Sequence, residues 1–127
     1  MSFPQLDECT RIERLTPPDR PVSMVLDTDT YNEIDDQFAL AYSLLSTDSL
    51  TVEAVYAAPY HNTRSDGPED GMEKSYEEIL RILDRMDRSA EGFAFEGSRS
   101  YLSAADEPVC SPAVDDLVER AMDERDG

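Results

Sequence analysis

Val22-Ser-Met-Val-Leu-Asp27-Thr-Asp29-Thr-Tyr31-Asn32-Glu-Ile-Asp35-Asp36-Gln-Phe-Ala-Leu40 contains the transition that decides the fold. Val22 to Leu26 reads as a buried strand. Asp27 to Asn32 reads as a loop, and Glu33 to Leu45 as a helix with Ile34, Phe38, Ala41, Leu44 and Leu45 in an apolar stripe. Asn32 or a residue just before it is the expected cap. Seven carboxylates and carboxamides lie between Met24 and Leu40. Hard oxygen donors gathered where a strand hands over to a helix are the ligand type of Ca²⁺ or Mg²⁺. Their mutual repulsion costs free energy unless a cation or protons offset it.

Outward from this stretch, the pattern alternates. Leu50 to Ala58 is the next strand, and Pro59 to Pro68 is polar and turn-rich. Pro68 to Met86 is an amphipathic helix with Met72, Tyr76, Ile79, Leu80, Leu83 and Met86 on one face. Gly92 to Glu96 is a short third strand, and Gly97 to Val109 a loop. A last helix starts at Ser111-Pro112, with Pro at its first position. It runs to about Asp123, with Val114, Leu117, Val118, Ala121 and Met122 expected inward. Strands alternating with helices imply a parallel sheet with crossover helices, an α/β, Rossmann-like class. Residues 1–21 hold four of the eight prolines and read as a polar surface arm, with 22–127 as the domain. Ligands of open α/β sheets bind beyond the carboxyl ends of strands. Asp27 and Asp29 lie at one such end, and Tyr60-His61-Asn62 at the next.

Composition narrows the function. The chain has 127 residues, 39% of them apolar, which suffices for one core. Its 29 acidic and 11 basic residues give a net charge of −18, which argues against nucleic acid and against anionic membrane surfaces. No apolar run is long enough to span a bilayer, and no signal core opens the chain, so a cytoplasmic location is expected. Cys9 and Cys110 stand far apart, with no metal spacing, and read as ordinary thiols. Lys74 is the only lysine, and such an acidic, arginine-biased surface suits a salty medium.

Three motif families bear on the aspartates. An EF-hand fails, because Tyr31, Asn32 and Phe38 stand where its ligand, glycine and bidentate glutamate belong. Asp27-Thr-Asp29 partly resembles the first motif of haloacid-dehalogenase-type phosphatases, with one aspartate as nucleophile and the other as acid/base. That motif's glycine and threonine are missing, and Asp35 and Asp36 stay unexplained. The pattern as a whole resembles the calcium-dependent nucleoside hydrolases. These carry Asp-x-Asp after the first strand, an Asp-Asp pair opening the next helix, and an asparagine after the second strand. Here those are Asp27 and Asp29, Asp35 and Asp36, and Asn62. Five residues, Thr30 to Ile34, separate the two aspartate pairs, two more than the common family form.

The resemblance implies hydrolysis of the N-glycosidic bond of ribonucleosides, with Ca²⁺ holding the attacking water. Asp29 would be general base and metal ligand, and Asp36 a second ligand. Asp35 and Asn62 would bind the ribose, and Asp27 would support the site. His61, as acid for the leaving base, and Tyr31 and Asn32, as contacts to the base or sugar, are further candidates. Family members are much longer and complete the metal shell from later segments. An incomplete nucleoside hydrolase fold is therefore expected: an N-terminal fragment, a partial reading frame or one piece of a split enzyme. Its partner would be a second copy or a complementing C-terminal chain. A metal-binding or regulatory module is the non-enzymatic alternative. The competing structural account makes Asp35 and Asp36 helix-dipole partners and Asp27 and Asp29 turn residues. Other side chains have plainer expectations: Glu77-Glu78 and Asp115-Asp116 on solvated helix faces, Phe93 and Phe95 in the core.

Overall fold

A computed structural model describes residues 5–105 and 107–123. The elements are α1 (Glu8–Leu15), β1 (Val22–Thr28), α2 (Ile34–Leu45), β2 (Leu50–Ala57), α3 (Pro68–Arg85), β3 (Ala94–Glu96) and α4 (Pro112–Met122). The three strands form one parallel sheet in the order β1-β2-β3, so the expected α/β, Rossmann-like architecture is present. In β1, Met24 pairs with Val52 and Val25 with Ala54, so Glu53 is the extra residue of a bulge.

α2 and α3 cover the same face of the sheet, as right-handed crossovers require. Leu40 and Leu44 of α2 and Met72, Ile79, Ile82 and Leu83 of α3 close on Val52, Val55 and Ala57 of β2. Met24 and Leu26 of β1 pack at the margin of this core. The opposite face is thinner: Ala54 and Tyr56 meet Ala113 of α4, flanked by Val25 and Phe95. There the Tyr56 hydroxyl donates to Asp116 at 2.7 Å, and Arg120 grips the same carboxylate. Burial, then the hydrogen bond to Asp116, pushes the Tyr56 phenol up to about 12.

Several expectations are corrected. The N-terminal arm is not irregular throughout, because residues Glu8–Leu15 form a helix. Asp7 caps it through Thr10 N–H at 3.0 Å, and Arg11 pairs with Glu8. It buries no side chain, so it remains a surface arm. β1 continues through Asp27 and Thr28, which were expected in the loop, because both residues pair with Tyr56 and Ala57 of β2. The N-cap of α2 is Glu33, without a side-chain bond; Asn32 is drawn instead to Asp29.

The expected α2 stripe splits. Leu44 is buried, together with Leu40, on the side of α2 that meets β2 and α3, while Ile34, Phe38 and Leu45 are exposed. The α4 side chains expected inward, Val114, Leu117, Val118, Ala121 and Met122, are all exposed. That helix touches the sheet through Ala113, Asp116 and Arg120 instead. Glu78, expected in solvent, is buried and held by Arg81, and Asp116 is half-buried. Phe93 and Phe95 pack at the edges of the two clusters and are only partly buried. Cys9 and Cys110 are both free and exposed. Among the described residues, no helix is long and apolar enough to cross a membrane.

Candidate metal and ribose site

Parallel pairing with β2 carries β1 as far as Thr28, whose carbonyl still accepts from Ala58 N–H at 2.9 Å. The chain then turns tightly: Asn32 N–H donates to the Asp29 carbonyl at 2.7 Å. α2 begins two residues later, so Asp35 and Asp36 lie in its first turn, where the helix dipole favours negative charge. The strand end and the helix start thus face each other across one short loop.

Asp36 is the best-defined member. Its Oδ1 accepts from Thr28 Oγ1 at 2.7 Å, and Thr30 Oγ1 donates to Thr28 Oγ1 at 3.1 Å. Both threonines are buried, so they form a fixed hydroxyl relay beneath the carboxylate. Burial holds the Asp36 carboxyl above the usual carboxylate range. The Thr28 bond opposes that shift, and the charges of Asp29 and Asp35 add to it. Asp29 is half-buried, and its Oδ2 accepts from Asn32 Nδ2 at 2.8 Å.

The second strand contributes through its own loop. Asn62 Nδ2 donates to Asn32 Oδ1 at 2.6 Å, and Arg64 reaches the Asn32 carbonyl. Asn62 Oδ1 in turn accepts from Arg64 N–H at 2.9 Å. A continuous chain, Asn62 to Asn32 to Asp29, therefore links the ends of β1 and β2. Gly71 makes this loop position possible: a Cβ there would stand 2.0 Å from the Tyr60 carbonyl oxygen.

The structure gathers Asp29, Asp36, Asn32 and Asn62, with Asp35 exposed beside them. Asp27 is placed differently. It lines a cavity of about 110 Å³ with Tyr56, Gly97, Ser98 and Ser111, on the α4 side of the strand ends. Partial burial and the Asp29 charge hold its carboxyl up, although much of the residue stays exposed. His61 and Tyr31 are exposed, and Tyr31 is a charge neighbour of Tyr60. Tyr60 itself is buried, its hydroxyl has no hydrogen-bond partner, and burial raises its phenol.

Thr28, Thr30 and Arg64 are the members that sequence reasoning missed. The two threonines carried no signal of their own, because β1 ends at Thr28 and the turn after it, not strand alternation, brings Thr30 onto Thr28. Arg64 carried no local signal.

The side-chain oxygens of Asp29 and Asp36 are of the donor type that a hard divalent ion takes. Asp29 and Asp36 supply only part of a shell. Among the described residues, no three His, Cys, Asp or Glu side chains converge as a metal site. In comparisons with known proteins, no family model, no curated protein and no solved structure matches the chain.

Proposed function

We propose that this rim is the catalytic half-site of a nucleoside-hydrolase-like N-glycosidase. One observation carries the reading: Asp29 and Asn62, from the loops after two adjacent strands, are joined through Asn32, and Asp36 at the start of α2 is held to the end of β1 by Thr28 beside Asp29. That is where an open parallel sheet binds ligands, and the joined residues are those the family resemblance assigns to metal and ribose.

Asp29 and Asp36 would hold Ca²⁺. When bound, the ion would offset their charge, orient the attacking water and grip ribose hydroxyls. Asp29 takes the proton from that water, and the Asn32 amide fixes the carboxylate's orientation for the task. Asp35 is free at the helix start to accept a hydrogen bond from a ribose hydroxyl. One N–H of the Asn62 amide holds Asn32, which leaves its second N–H for the sugar. Cleavage of the C–N bond builds positive charge on the ribose, and carboxylates close by stabilise it electrostatically. Exposed His61 and Tyr31 stand on the leaving-base side of this reading, as proton donor and stacking surface.

Ribose release from purine and pyrimidine ribonucleosides, measured with the chain in Ca²⁺ and in chelator, tests the proposal. Asp29→Asn should lower turnover by about 10²–10⁴-fold, the range of a lost general base. An unchanged rate would remove Asp29 from that role. Ca²⁺ binding without ribose release from any ribonucleoside would replace the enzyme by a metal-binding module.

A further inference from the structure

Arg64 is held at three points, yet it pairs with no acid. Its backbone N–H donates to Asn62 Oδ1 at 2.9 Å, and its carbonyl accepts from Lys74 Nζ at 2.9 Å. Its guanidinium donates to the Asn32 carbonyl. The loop that carries it is fixed from within, since buried Ser65 donates to the Tyr60 carbonyl at 3.1 Å and accepts from Asn62 N–H at 3.3 Å. The bond to Asn32 occupies one of the guanidinium's five N–H donors. Lys74, Arg11, Arg81, Arg99 and Arg120 all pair with carboxylates, while Arg64 makes no ion pair among the described residues. On a chain of net charge −18, a fixed cation with open donors at the rim of the candidate site is suited to an anion that arrives from outside.

We infer that Arg64 is the phosphate-binding residue of this rim, which makes a 5′-phosphorylated ribosyl compound the ligand class. The inference rests on the reading of the rim as a ribosyl site. Asn32 holds Asp29 with its side-chain amide and Arg64 with its carbonyl, so the carboxylate and the guanidinium stand on either side of one residue. A ribose gripped at Asp29, Asp35 and Asn62 would present its 5′ end to Arg64, two residues beyond Asn62. A neutral nucleoside makes no use of a cation there. A phosphate does, because Asp27, Asp29, Asp35 and Asp36 repel it, and a guanidinium offers the planar fork that binds phosphate oxygens in pairs. Tyr60 supplies a second observation. It is 5% exposed, its hydroxyl has no hydrogen-bond partner, and the charges of Lys74 and Arg64 both act on it. Buried polar groups are nearly always partnered, and a phosphate oxygen at Arg64 would be the acceptor this hydroxyl lacks. A loop pinned only for structure leaves it orphaned. The bond cleaved is unchanged: the water oxygen joins C1′, its proton goes to Asp29, and the C1′–N electron pair leaves with the base. The sugar product is then ribose 5-phosphate.

Calorimetry of the whole chain in Ca²⁺, titrated with ribose 5-phosphate, ribose and inorganic phosphate, is the test. Ribose 5-phosphate should bind at least about 10-fold tighter than either of the others, the effect of a hydrogen bond to a charged group. Arg64→Ala should erase that ratio. Arg64→Lys, which keeps the charge and loses the fork, should restore part of it. Ribose 5-phosphate that binds no tighter than ribose would overturn the inference. So would inorganic phosphate that binds as tightly as ribose 5-phosphate. A ratio that survives Arg64→Ala would overturn it too, whether the metal holds the phosphate or the substitution merely frees Asn32 and weakens both sugars equally. Turnover separates this inference from the hydrolase reading. Ribose 5-phosphate released from ribonucleoside 5′-monophosphates, with a kcat/KM above that for nucleosides by the same Arg64-dependent factor, supports both. Cleavage of nucleosides but not of monophosphates would leave the hydrolase and overturn the phosphate site. Arg64-dependent binding of ribose 5-phosphate, with no cleavage of either substrate, would keep the phosphate site and remove the enzyme.

Discussion

Asp36 shows how one carboxylate ties local structure to function. Thr28 Oγ1 holds its Oδ1, while burial and the charges of Asp29 and Asp35 favour its protonated form. Its folded-state acidity is therefore weaker than in the unfolded chain, and the native state binds more protons between the two values. Stability from this group is present below the ordinary carboxylate range and is lost as pH rises through the raised folded value. Asp27 shifts in the same direction and adds to the trend. If the proposed site takes Ca²⁺, the ion would replace the missing proton above that window, so it should raise the melting temperature at pH 7 much more than at pH 4. At a concentration near 100 times Kd, the gain is about 2.7 kcal/mol. Asp36→Asn removes the desolvated charge but keeps an oxygen for Thr28. It should melt higher than wild type in chelator at pH 7, and lose most of the Ca²⁺ gain. Thermal melts across pH, with Ca²⁺ and with chelator, check both; a wild-type Ca²⁺ gain retained by the variant would take Asp36 out of the ligand set. The aspartates were legible in the sequence because their spacing across a strand-to-helix junction is a local pattern. The threonine relay and Arg64 were not, since their roles depend on which atoms the turn brings within hydrogen-bonding distance.

At the scale of elements, the contact between α3 and the loop after β2 sets where Asn62 can stand. Gly71 lies in the first turns of α3 against the Tyr60 backbone, and two opposed effects meet there. Helix propensity alone would make Gly71→Ala stabilising by about 1 kcal/mol. The added Cβ would instead stand 2.0 Å from the Tyr60 carbonyl oxygen, so backbone has to move. Overpacking of this kind costs about 1–3 kcal/mol, and the net should be destabilising. Urea unfolding of Gly71→Ala gives the sign directly, and a gain in stability would show that the loop yields freely. The displaced loop should also shift the Asn62 side-chain amide resonances. Parallel strands and crossover helices could be read from periodicity, because Val22–Leu26, Leu50–Ala58 and the α3 stripe repeat at strand and helix spacings. Periodicity did not say which apolar row would be covered. α2 and α4 each carry apolar residues on more than one side, and only tertiary placement selected Leu40, Leu44 and Ala113. α1 was invisible to the same reasoning because it buries nothing; its cap at Asp7, Glu8 in its first turn and Arg14 in its last were its local signatures.

For the molecule as a whole, charge balance decides the response to salt. Ion pairs do form: Arg99 bridges Glu69, Glu73 and Glu96, and Lys74 meets Asp70. Each is exposed or half-exposed, so each contributes little and weakens as salt rises. Against them stand 29 acidic residues with 11 lysines and arginines, an excess of negative charge that pairing leaves in place. The self-repulsion of a net charge of −18 acts over the whole surface and opposes the compact state. Raising salt from 0.1 M to 1 M shortens the screening length from about 10 Å to about 3 Å, which reaches between neighbouring surface carboxylates. Repulsion is the larger quantity here, so screening should remove more destabilisation than stabilisation. The melting temperature should therefore climb steadily between 0.1 M and 2 M KCl. Ionic strength can be separated from Ca²⁺ binding by running the melts in chelator, where the divalent site contributes nothing. A flat or falling curve in chelator would mean that the few ion pairs outweigh the excess negative charge, and the acidic surface would then have no role in salt tolerance.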